Sequence, residues 1–165
     1  MKTLILMRHA KAINGDGVMT DFERGLAERG KTDAAEMGKR LKLKNFTPDL
    51  ILCSAAKRTH KTAKLVSAEL GYSEENIERE FELYEASLND MLHAIRQIDD
   101  AKNQVLLVAH NPTISGMIGY LTGDFVSSLP TAGQAFMLFD IMSWKQIMPQ
   151  QGELVWVDVP KNGQD

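Results

Sequence analysis

"TLILMRHAKA", residues 3–12, sets four apolar residues directly against an Arg-His pair. A short continuous apolar run of this kind reads as a buried strand, and its polar end must then emerge where the sheet meets solvent or a ligand. Two later segments repeat the design. "DLILCS", residues 49–54, ends in Ser54 and reaches Arg58 within four residues, and "QVLLVAH", residues 104–110, ends in His110 and Asn111. Between them run helical patterns: a repeat through Leu26, Ala34, Met37 and Leu41, closed off by Pro48, and a helix over 55–70 that Ser54 can cap and Gly71 can end. A stripe of Leu88, Met91, Leu92, Ile95 and Ile98 marks another. Pro112 stands at the start of a further helix over 113–121, where a missing N–H costs nothing.

"IEREFEL", residues 77–83, reads as a third, half-exposed strand. "AFMLFDIM" and "ELVWVDV", residues 135–142 and 153–159, read as an antiparallel pair joined through Gly152. Strands alternating with helices, with no repeat, low-complexity tract or composition break, predict one α/β domain over 1–165: a three-layer α/β/α sandwich around a mostly parallel sheet. In such a sheet ligands bind outside the carboxyl ends of the strands, where the strand order switches. Two histidines, His9 and His110, and two arginines, Arg8 and Arg58, then converge on that edge from three segments.

Paired arginines suit a phosphoryl dianion, because each guanidinium presents a planar fork of donors matching phosphate oxygens. The N-termini of the two following helices would add N–H groups of the right polarity. A neutral imidazole can attack phosphorus without a base to deprotonate its attacking nitrogen. Taken singly, each residue has a plainer reading: a hydrogen-bonded strand-end histidine, or Arg58 on a basic helix face with Lys57, Lys61 and Lys64. Three strand ends carrying the same chemistry favour the site.

Composition narrows the function classes. With a net charge of −3 and no long basic run, nucleic acid and anionic membranes are not the expected partners. No apolar run is long enough to span a bilayer, and "LILM" is too short for a signal peptide. The single cysteine, Cys53, sits in an apolar stretch and reads as a buried structural thiol, so a cytoplasmic protein is expected. His60 and His93 lack zinc-site spacing, His93 lies off the apolar stripe, and no metal or other cofactor is expected.

"LILMRHAKA", "CSAAKRTHKTA" and "VLLVAHNP", in that order and rough spacing, resemble the histidine phosphatase superfamily, with its phosphoglycerate-mutase-like fold. "TDFERGLAERG" resembles the D-x-x-R-x-L-x-x-x-G stretch of the SixA-like phosphohistidine phosphatase branch, and "ELYEAS" and "LPTAG" fit as well. The resemblance implies that His9 is the phosphorylated nucleophile. It implies that Arg8, Arg58 and His110 hold the phosphoryl oxygens, with Asn111 at the rim. Glu85 falls where the broader family carries its proton-donating glutamate. Ala10 replaces the glycine of the commoner R-H-G, which implies an ordinary backbone conformation there.

Too few residues separate Glu85 from His110 for the insertion that covers the site in mutases. An open pocket suits a bulky phosphorylated protein side chain and retains a phosphorylated intermediate poorly against water. Expelling an alkoxide benefits from a general acid, whereas imidazole leaves easily, so protein phosphohistidine is the expected substrate. Two alternatives stay open: a phosphatase of small phosphorylated metabolites with Glu85 as acid, and a phosphate-binding module without catalysis.

Overall fold

The computed structural model describes residues 1–160; the last five positions of the expected 1–165 domain lie outside the described residues. Six strands form one sheet in the order β3-β2-β4-β1-β5-β6, with β1 Lys2–Arg8, β2 Leu50–Ser54, β3 Glu78–Glu80, β4 Gln104–Ala109, β5 Gln134–Phe139 and β6 Glu153–Asp158. The first four are mutually parallel; β5 runs antiparallel to β1, and β6 antiparallel to β5. Four helices flank the sheet: α1 Glu28–Leu43, α2 Lys57–Leu70, α3 Leu88–Arg96 and α4 Thr113–Thr122. The mixed α/β sandwich agrees with the architecture expected from the alternation of apolar runs and helical stripes.

Side-chain alternation along the strands builds the two outer layers. Leu4 and Leu6 of β1 join Leu50 and Leu52 of β2 and Val105 and Leu107 of β4 under α3 and α4. Ile5, Met7, Ile51, Cys53, Leu106 and Val108 take the opposite face, under α1 and α2. Both faces are covered, so these strands are apolar throughout instead of alternating. Fully burying one such aliphatic side chain contributes about 1.5–3 kcal/mol, and Ile5, Leu6 and Leu107 are all without solvent exposure.

Three local expectations change. The segment 77–83 is strand only at Glu78–Glu80 and then tightens into a 3-10 turn at Phe81–Leu83, because Leu83 must turn into the core while Phe81 stays outside. Ser54 does not cap a helix over 55–70. That helix begins at Lys57, and the Ser54 hydroxyl takes a long bond from the Ala56 N–H and turns towards the sheet edge. The repeat through Leu26 becomes helix only from Glu28, Leu26 pairing instead with Ala12 across a short antiparallel bridge. Gly71 ends α2 in the left-handed conformation, as the sequence requires. Trp144 and Met117 are core, Phe125 is exposed, and Phe136 stacks on Trp156.

The connections fix where a ligand can sit. β1 leaves the sheet towards α1 and β2 towards α2, on one face. β4, lying between β1 and β2, leaves towards α4 on the other. The carboxyl ends of these three strands therefore part around a crevice. Among the described residues, no helix is long and apolar enough to cross a membrane.

Candidate active site

A pocket of about 360 Å³ opens in that crevice, lined by Arg8, His9, Arg58, Glu85, His110 and Asn111, so every residue singled out from the sequence reaches it. Lys11, Ala12, Asn14, Arg24, Tyr84 and Thr131 complete the wall. Arg8 and His9 come from the end of β1, His110 from the end of β4, and Arg58 from the first turn of α2. The two imidazole rings meet edge to face, centroids 5.4 Å apart.

His9 is almost completely buried, and its Nδ1 lies 2.8 Å from the Ala10 carbonyl oxygen. A carbonyl oxygen only accepts, so Nδ1 carries the hydrogen and Nε2 keeps its lone pair. Burial, reinforced by the positive charges of Arg58 and Arg8 and by the neighbouring His110, pushes the His9 pKa down to about 3; the Ala10 carbonyl opposes this. The ring is thus a neutral, oriented imidazole at neutral pH. His110 shares a 2.8 Å hydrogen bond between Nε2 and the Ser54 hydroxyl, and burial with Arg58 lowers it to about 4. Ala10 is not among the positive-φ residues Asn45, Glu85, Ala132 and Gln150, in line with alanine in place of glycine.

Arg58 is buried and held by one residue. Its Nη1 donates to the Asp21 carbonyl at 2.8 Å and its Nη2 to the Asp21 carboxylate at 3.0 Å, while its Nε, shielded from solvent, has no hydrogen-bond partner in the protein. A buried orphan donor of this kind is costly unless something fills it. The same Asp21 carboxylate receives the Tyr84 hydroxyl at 2.7 Å and Arg24 at 3.0 Å. Tyr84, then Arg58 and Arg24, hold Asp21 down to about 2. Arg8 donates to the Leu129 carbonyl at 3.1 Å, and the Ala132 N–H bonds back to the Arg8 and His9 carbonyls at 3.1 Å each. The "LPTAG" loop is in this way strapped to the end of β1.

Several of these supports were not singled out from the sequence. Asp21 and Arg24 stood in the D-x-x-R stretch, which was the available signal; its terminal Gly30 lets α1 pass directly over Lys11, since a Cβ there would run into the Lys11 carbonyl. Thr62 takes a hydrogen bond from the Ala10 N–H at 3.0 Å and donates to the Arg58 carbonyl at 2.8 Å, tying β1 to α2; its only sequence signal is its place in "CSAAKRTHKTA". Asn111 has both ends of its amide engaged, donating to the Leu129 carbonyl at 2.9 Å and accepting from the Ser115 hydroxyl at 2.7 Å. Glu85 is exposed at the rim with φ 54.

The other candidates stay apart. His93 is exposed on α3, His60 is half-buried on α2 outside the pocket, and burial pushes the Cys53 thiol up to about 12, far from a reactive thiolate.

Four cationic side chains (Arg8, Lys11, Arg24 and Arg58) and two uncharged imidazoles face one rim carboxyl group, a balance of charge suited to a phosphoryl dianion. Sheet order and site together define the phosphoglycerate-mutase-like class of α/β proteins. The model of the histidine phosphatase superfamily (branch 1) matches residues 4–93, and the chain belongs to that superfamily. It is 30% identical to an uncharacterized protein of Mycobacterium leprae over 94% of this chain and all of that one. A crystal structure from Agrobacterium tumefaciens, assigned as the phosphohistidine phosphatase SixA, superposes with a TM-score of 0.81 at 27% identity, covering 96% of this chain and 98% of that one. The protein histidine phosphatase SixA complexed with tungstate shares the fold at a TM-score of 0.83 and 20% identity, over 98% of this chain and 99% of that one. Family and architecture make this protein a phosphatase acting on phosphorylated substrates, protein or metabolite.

Proposed function

We propose that this phosphatase works through a phosphohistidine on His9 and that its substrate is phosphohistidine on a protein. The observation that carries the reading is the tethering of Nδ1–H to the Ala10 carbonyl, which leaves Nε2 unprotonated in the pocket that Arg58, with its unfilled Nε donor, also lines. Nε2 attacks phosphorus, the P–N bond of the substrate breaks, and the substrate imidazole leaves as a neutral ring, its other nitrogen keeping its proton. Water then attacks phospho-His9, the P–Nε2 bond breaks, and dihydrogen phosphate departs with both water protons. No step needs an external acid. The charge that spreads over the equatorial oxygens meets Arg8, Arg58 and His110, positioned in advance. Asn111 acts by holding the 128–131 loop against α4.

The segment between Glu85 and His110 contains only α3, its flanking turns and β4, so nothing from it covers the pocket. That openness favours a side chain presented by a protein. A second reading keeps one observation of its own: Glu85 lines the same pocket and could protonate an alkoxide from a small phosphoester. A phosphohistidine protein and a sugar phosphate, each assayed with wild type, Glu85→Gln and His9→Ala, separate the two. Glu85→Gln should spare phosphohistidine turnover and cut ester hydrolysis, while His9→Ala should abolish both. Equal loss of both activities in Glu85→Gln would remove the argument from leaving groups. Binding of phosphate with no turnover of any substrate would indicate a non-catalytic module.

A further inference from the structure

Next to the pocket, on the outer side of a thin wall, lies a second groove of about 370 Å³ that the chemistry above does not use. The wall is the short antiparallel pairing of residues 12–13 with 25–26: Ala12 bridges Leu26, and the Ile13 N–H donates to the Gly25 carbonyl at 3.0 Å. Its residues divide between the two cavities. Ala12, Asn14 and Arg24 line the pocket, whereas Ile13, Glu23 and Gly25 line the groove. A ligand can therefore pass from one to the other in the space of a few residues.

The groove has an apolar floor of Ile13, Met19 and Leu26 and walls of Lys31, Lys57, Lys61 and Lys64, opposed by the single acid Glu23. Three of the lysines come from α2 at positions that share one helix face. Lys31 pairs with Glu28 at 3.1 Å and Lys64 weakly with Glu74 at 3.9 Å; among the described residues, Lys57 and Lys61 have no carboxylate partner. In a chain whose net charge is −3, this gathers positive potential beside the pocket, only part of it met by the protein's own carboxylates.

We propose that this groove docks an acidic segment of the phosphorylated protein, with Asp and Glu residues on the lysines and an intervening apolar side chain on the Ile13–Leu26 floor. The groove sets substrate preference by charge while the pocket performs the chemistry. This rests on the protein-substrate reading above. It predicts that selectivity lies in KM and in salt dependence, because exposed pairs at this distance act through encounter and weak binding.

The test uses three peptides of identical length carrying phosphohistidine, followed by a segment rich in Asp and Glu, in Ser, or in Lys, with phosphoramidate as the small probe. For wild type, kcat/KM should be about tenfold higher for the acidic peptide than for the serine peptide, and lowest for the lysine peptide. That advantage should vanish in high salt and in Lys31→Glu/Lys61→Glu, with phosphoramidate turnover unchanged. Fluorescence binding of the unphosphorylated acidic peptide to wild type and to the double variant reads the groove independently of catalysis. Equal kcat/KM for acidic and serine peptides, or equal peptide binding by wild type and the double variant, overturns the groove while leaving phosphohistidine turnover standing. Loss of phosphoramidate turnover in the double variant also overturns it, since the lysines would then serve the pocket. Failure to hydrolyse any phosphohistidine peptide, with salt-sensitive acidic-peptide binding intact, instead overturns the catalytic reading.

Discussion

The floor and the rim of the pocket are built by opposite means. The floor is Arg8, His9, Arg58 and His110, carried on two strand ends and the first turn of a helix; His9 and Arg58 are buried, and protein partners hold each of the four. The rim is Lys11, Arg24, Tyr84 and Glu85, carried on loops and exposed or half-exposed. Rigid elements place groups accurately, so the floor can determine the reaction. Loops vary in reach and composition, so the rim and the lysine groove beyond it can determine which phosphorylated molecule enters. Asp21 joins the two, since one carboxylate holds Arg58 of the floor and Arg24 and Tyr84 of the rim.

Breaking the floor has the larger effect. Arg58→Ala removes the unfilled Nε donor and unties Asp21, and kcat should fall by about a hundred- to a thousandfold with the far-UV circular dichroism unchanged. Cutting the joint comes next. Asp21→Asn keeps the shape but loses the charge that orients Arg58, and should lower kcat/KM by about tenfold to a hundredfold, through kcat as well as KM. Tyr84→Phe removes only the hydroxyl on Asp21, which Arg58 and Arg24 still hold, and should cost a few-fold. If Tyr84→Phe cost as much as Arg58→Ala, the distinction between floor and rim would collapse.

Protonation sharpens the same contrast. His9 and His110 sit at about 3 and about 4 in the folded protein, against 6.5 for an ordinary histidine. The unfolded chain therefore binds more protons through this window, so stability should fall as pH drops from about 6.5 through 4 and on to 3. Thermal melts from pH 7 to pH 4 should show a steady loss of Tm, and the loss should be shallower in His110→Asn. For the chemical step the sign is the same but the window is lower. His9 stays unprotonated until near pH 3, so single-turnover rates, corrected for substrate ionisation, should show no break at pH 6.5. An inflection at pH 6.5 in those rates that His110→Asn leaves in place would mean that His9 titrates as an exposed histidine.

The floor was the legible part of the sequence, for a physical reason. Short apolar runs such as "TLILM" and "QVLLVA" read best as buried strands, and parallel topology then brings their carboxyl ends to one edge. Arg8, His9 and His110 stand at those ends and Arg58 just past the turn after Ser54; singly each has a plainer reading, and their convergence is what marks the pocket. The supports were not legible, because they depend on loop paths that no periodicity records. Asp21 meets Tyr84 across 63 residues of chain, and Thr62 meets Ala10 only because α2 packs beside β1. Local rules make Ser54 a helix cap, but a histidine at the end of another strand takes its hydroxyl. "IEREFEL" promised a full strand by composition, and the need to bury Leu83 ended it early.

Trapping a phosphoryl adduct shows whether His9 is the nucleophile. Wild-type protein, quenched in alkali during turnover of phosphoramidate, should hold one acid-labile, base-stable phosphoryl group, placed on Nε2 of His9 by mass spectrometry and phosphorus NMR. His9→Ala, folded by circular dichroism, should hold none and should lose at least about a thousandfold in rate. Turnover at the wild-type rate by His9→Ala, or a label on His110 instead, would rule out His9 as the nucleophile.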